Sequence, residues 1–66
     1  MKLFEVAVIY HPSKSEEKNG MQDYVAVNPI PVLAKDEAAA KVKATFKIPE
    51  NLRDKTDQLE VLVRPF

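Results

Sequence analysis

The chain has 66 residues, no cysteine, a single histidine (His11), and ten basic side chains that cancel ten acidic ones. That length holds one core and one domain, residues 1–66, which buries only about 60% of the surface its unfolded chain exposes. Disulfides and His/Cys-ligated metals are closed as sources of stability, and a zero net charge removes the long-range field that gathers nucleic acid or anionic membrane.

Residues 2–10, Lys-Leu-Phe-Glu-Val-Ala-Val-Ile-Tyr, read as the first strand, rich in β-branched and aromatic side chains. Phe4, Val6, Val8 and Tyr10 share one face by the period of two. Leu3, Ala7 and Ile9 share the other, interrupted by Glu5. Two apolar faces predict a central strand. Residues 11–22 form a polar connection. Pro12 ends the strand, and Asn19-Gly20 signals a turn.

A second strand is predicted over residues 23–33. Pro29 and Pro31 remove ladder donors, which places it at a sheet edge. A helix follows over residues 36–47, with Asp36 as its cap and Ala38–Ala40 as strong helix formers. Ala39, Val42 and Phe46, with Ala38 beside them, are the predicted buried stripe. Glu37 and Lys41 make an i, i+4 pair on the wet side. Pro49 stops the helix or opens a short turn through Arg53, from which Leu52 plugs the core. Residues 58–64 form the last strand, with Leu59, Val61 and Val63 on its apolar face.

A hairpin makes the first two strands antiparallel, and the helix returns the chain to the other side of the first strand. The predicted fold is α+β: a three-stranded antiparallel sheet of order 2-1-3 in a β-β-α-β chain, with one helix on one face. The helix shelters the Phe4, Val6, Val8 and Tyr10 side. Leu3, Ala7, Ile9 and Leu62 are left on the open side, and an uncovered apolar patch on a small domain commonly marks a contact surface. The competing outcome is that the 11–22 segment or Phe66 folds over that patch.

Other chemistry is thinly represented. His11 lies near Ser13 and Ser15, but no nucleophile elbow accompanies them, so a solvated strand-end histidine is the better reading. Glu16-Glu17 and the Asp54/Asp57 pair lack the spacing of a calcium loop. Gly20 is the only glycine, which excludes a phosphate-cradling loop. Lys41, Lys43 and Lys47 are offset by nearby acids, without the stacking aromatics of an RNA-binding sheet. No enzyme activity and no cofactor are expected. No apolar run approaches the roughly 18 residues that span a membrane. The apolar N-terminal stretch ends by Tyr10, too short for a secretory signal and without a small-residue cleavage site, which predicts a cytoplasmic chain.

Three stretches carry a resemblance: Val32–Ala40, Ile48–Lys55 and Glu60–Phe66. With the opening Leu3–Pro12, they resemble small uncharacterised proteins of tailed bacteriophages. The resemblance spans most of the chain outside residues 13–31. It implies a product made in the cytoplasm of a bacterial host or carried in the virion, and it transfers no catalytic residue. The leading expectation is a non-enzymatic phage accessory protein that binds a protein partner, or itself, through the open face or an edge. The alternatives are a minor structural protein of the particle and a weak nucleic-acid-binding module.

Overall fold

β1 (Lys2–Tyr10) is the middle strand of a three-stranded antiparallel sheet, with β2 (Tyr24–Ala34) on one side and β3 (Leu59–Pro65) on the other. The computed structural model describes the whole chain, Met1–Phe66. A short helix, α1 (Lys14–Lys18), joins β1 to β2. The helix α2 (Glu37–Thr45) and two 3-10 turns, Glu50–Leu52 and Thr56–Gln58, join β2 to β3. The predicted α+β architecture and strand order are those observed, with element ends displaced by one or two residues.

Strand alternation decides what is buried. Phe4, Val6, Val8 and Tyr10 all face the helix side and are buried, Val6 and Val8 completely. Val63, Val61 and Leu59 lie opposite Val6, Val8 and Tyr10 on the same face. Two irregularities interrupt the β1–β2 ladder. Asn28 and Pro29 together oppose Ala7, and Ala26 is an extra residue between the Val8–Val27 and Ile9–Val25 pairs. Such bulges bend and twist an edge strand.

The helix is capped as expected, Asp36 Oδ1 accepting from the Ala39 amide at 2.8 Å. Its buried stripe is different from the predicted one. Ala40 and Ala44 are fully buried and Ala39 partly so, whereas Val42 is 56% and Phe46 73% exposed, and Ala38 is exposed. The helix is rotated so that its smallest side chains meet the sheet, which lets its backbone approach the Phe4 and Val6 layer closely. The other half of the buried face lies beyond the helix. There Ile48 and Leu52 cover Val8 and Tyr10, with Leu52 in the predicted plugging role.

The 11–22 segment is more ordered than a polar connection. Ser13 and Glu16 form a reciprocal capping box at the start of α1. Gly20, at φ +89°, closes the helix. Its amide donates to the Glu17 carbonyl and the Met21 amide to that of Glu16, the double bond of a Schellman motif. Asn19-Gly20 is therefore a helix stop, not a hairpin turn.

Candidate functional site

The open face is built from the outward positions of three strands. Across the sheet the rows run Leu33–Leu3, then Pro31–Glu5–Arg64, Ala7–Leu62 and Val25–Ile9–Glu60. Leu3 and Leu62 are exposed, at 42% and 44%, while Ala7 and Ile9 are half-buried by their neighbours. Val25 and Leu33 add exposed apolar surface that the sequence reading did not assign to this face. They sit on β2, where bulges shift the alternation and hide which residues share a side.

Neither candidate cover lies over this surface. Phe66 extends the ladder by one bond, its amide donating to the Leu3 carbonyl at 3.1 Å, and its side chain is exposed at the sheet end. The α1 segment is held at the strand end by Tyr10, whose ring belongs to the buried face. Tyr10 Oη donates to Glu16 at 2.9 Å. Gln58 Nε2 donates to Tyr10 Oη at 3.0 Å and to Glu16 Oε1 at 2.9 Å. The backbone amide of Ser13 completes the set at 2.9 Å. Donors converging on one carboxylate, the Ser13 amide foremost and then Gln58 and Tyr10, hold the Glu16 pKa down to about 2.

Ala7 is the smallest side chain on the middle strand, and the sheet dips there. Pro29 and Leu62 form the walls of a shallow depression of about 340 Å³, closed at one end by Glu5 and Arg64. Arg64 Nε donates to Glu5 Oε1 at 2.6 Å across directly opposed positions of β1 and β3. The other end of the face carries His11. Its Nδ1 is 2.9 Å from Asp23 Oδ2, and its Nε2 is 2.8 Å from Glu60 Oε1. Hydrogen bonds to Glu60 first and Asp23 second raise its pKa above the ordinary histidine value.

His11 is the solvent-exposed strand-end residue expected, its side chain 44% exposed, and it also has two acidic partners. Both ring nitrogens are engaged, and neither by a serine; the Ser13 and Ser15 hydroxyls pair with each other at 3.3 Å. The two carboxylates lie on opposite sides of the ring, and no group of three such side chains is placed to hold a metal ion. Of the helix lysines, Lys43 donates its ammonium to the Leu33 carbonyl. No helix is long and apolar enough to cross a membrane.

The sheet thus brings Leu3, Ala7, Ile9 and Leu62 onto one uncovered surface, an apolar dip set between an Arg–Glu pair and a histidine held by two acids. Comparison with protein-family models, with curated proteins and with solved structures finds no match to this chain.

Proposed function

We propose that this chain is a non-enzymatic protein-binding module whose docking surface is the open sheet face. The observation that carries this reading is the depression over Ala7, flanked by exposed Leu62 and by charges of both signs. An apolar centre with a polar, charged rim is the anatomy of a protein interface. A partner would seat one apolar side chain against Ala7, Ile9 and Leu62. Its polar neighbours would meet Arg64 on one side and the Glu60–His11 pair on the other. On the strength of the resemblance we place the module among the accessory proteins of tailed bacteriophages, acting inside the bacterial host.

The test compares the parent chain with Ile9→Glu as bait in lysate from infected host cells. Ile9 lies on the open face, so the substitution puts a charge into the docking surface and leaves the buried side alone. A partner retained in stoichiometric amount by the parent and lost on Ile9→Glu is the expected result. Equal retention by both chains, or by neither, removes the reading.

A further inference from the structure

The two edges of the sheet are finished differently. In the β1–β3 ladder, Phe66 donates to Leu3 and His11 to Gln58. Backbone groups alternate between neighbours along a strand. The amides and carbonyls of Glu60, Leu62 and Arg64 therefore face β1, and those of Val61 and Val63 face outward. By the same alternation, β1 turns the backbone of Phe4 and Val6 toward Val32 and Ile30 of β2. Pro29, Pro31 and Leu33 then point away from the sheet. Over Pro29–Leu33 the β2 edge is closed: two of its outward positions are prolines without an amide, and the Leu33 carbonyl takes the Lys43 ammonium. The β3 edge carries no such device over Val61–Val63. It stops on both sides, because the Leu59 amide is spent on the Thr56 carbonyl and Pro65 has none.

We propose that this free β3 edge is the interface of a twofold-symmetric homodimer, in which β3 pairs antiparallel with β3 of a second copy about Leu62. The register follows from the strand itself. Centred on Leu62, Val61 lies opposite Val63 of the second copy and exchanges both hydrogen bonds with it, so every amide and carbonyl of these residues is paired. Sliding the dyad to Val63 sets the Val61 carbonyl against a proline. Sliding it to Val61 sets the Val63 carbonyl against the amide that Leu59 has already committed.

The side chains select the same register. On the open face Glu60 of each copy comes to lie opposite Arg64 of the other, and the two Leu62 side chains meet on the dyad. Directly opposed charges of unlike sign stabilise a strand pair, and like charges destabilise it. Each Glu5–Arg64 pair then continues into the second copy's Glu60, which holds its own His11, giving a row of alternating sign across the joint. The dyad stands perpendicular to the sheet, so both α2 helices lie on one side and the two open faces merge into a continuous surface. The backbone pairing lies at an edge and needs no foreign partner over Ala7, although Glu60, Leu62 and Arg64 belong to both surfaces.

The experiment uses the purified chain alone. Sedimentation of the parent at increasing concentration is expected to approach twice the 7.5 kDa chain mass. Glu60→Arg and Arg64→Glu each oppose like charges in the dimer, and each should raise the dissociation constant by about tenfold or more. Mixed in equal amounts, the two variants oppose unlike charges again and should dimerise more tightly together than either does alone. Amide exchange on the parent needs no variant: Val61 and Val63 should become protected as concentration rises. A parent that stays monomeric at millimolar concentration overturns the proposal. So does a mixture that behaves as its separate components, or a dimer in which the Val61 and Val63 amides stay unprotected.

Discussion

The two faces of the sheet are made by the same strands and differ in what the chain has left over to cover them. On the helix side, Phe4, Val6, Val8 and Tyr10 meet two separate lids. Ala40 and Ala44 of α2 cover one half, and Ile48 with Leu52 from the irregular segment covers the other. On the open side, Leu3, Ala7, Ile9 and Leu62 have no element packed over them, and Glu5, Arg64, Glu60 and His11 tie up their charges with one another. The difference teaches that hydrophobicity along β1 does not by itself assign burial. A chain of this length has one α-helix of more than two turns and one short plug, and together they suffice for a single face.

Removing cover from the buried side should give the largest effect. Leu52 is 6% exposed and packs in the cluster that holds Val8 and Tyr10. Leu52→Ala should cost about 2–4 kcal/mol, from lost burial plus the cavity left behind. Against the roughly 5 kcal/mol at the low end for small domains, that is most of the margin. Leu62→Ala deletes the same atoms from the open face and should change stability by no more than about 0.5 kcal/mol. Urea unfolding of the pair at a concentration where the chain is monomeric measures both. Equal losses would mean that the open face carries packing that its exposure does not reveal.

Much of this contrast was legible in the sequence. Period-two alternation placed Phe4, Val6, Val8 and Tyr10 opposite Leu3, Ala7 and Ile9, and Pro29 with Pro31 marked the edge strand. The phase of α2 was not legible by the same means. A stripe of Val42 and Phe46 looks more hydrophobic than one of Ala40 and Ala44, but a helix lying close on a sheet needs small side chains beneath it. The bulges at Ala26 and Asn28–Pro29 shift register without a composition cue. Ser13-Lys14-Ser15-Glu16 does carry the capping-box pattern, and it was the one available sign of α1, a helix too short to show periodicity. The bonds that Gln58 donates to Tyr10 and Glu16, and the one between His11 and Glu60, join residues more than forty positions apart. No local pattern announces them.

The strand-end network that holds α1 gives a second, smaller way to sharpen the comparison. Glu16 has its pKa lowered to about 2 from an ordinary 4.5, first by the Ser13 amide and then by Gln58 and Tyr10. A depressed carboxylate pKa contributes stability that is present above the unfolded value and is lost as pH falls through the folded one. The parent should therefore lose stability between about pH 4.5 and pH 2. Glu16→Gln should start less stable at neutral pH and show a flatter acid limb, measured by thermal unfolding across that range. Parallel acid limbs for the two chains would show that the network does not anchor the segment.

The smallest effect belongs to the open face, and its sign is opposite. His11 has its pKa raised, first by the hydrogen bond to Glu60 and then by that to Asp23. A raised histidine pKa contributes stability that is complete below the unfolded value, about 6.5, and is lost as pH rises through the higher folded value. Both carboxylates are more than half exposed, so solvent and salt screen the attraction. In dilute, low-salt solution the parent's melting temperature should decline slightly as pH climbs from 6.5 through the folded value, while that of His11→Gln stays level. Added salt should erase the difference, whereas the Glu16 effect, which rests on hydrogen bonds from uncharged donors, should survive it. If the His11 and Glu16 profiles respond alike to salt, the distinction between a hydrogen-bonded anchor on the covered side and a screened ion cluster on the open side does not hold.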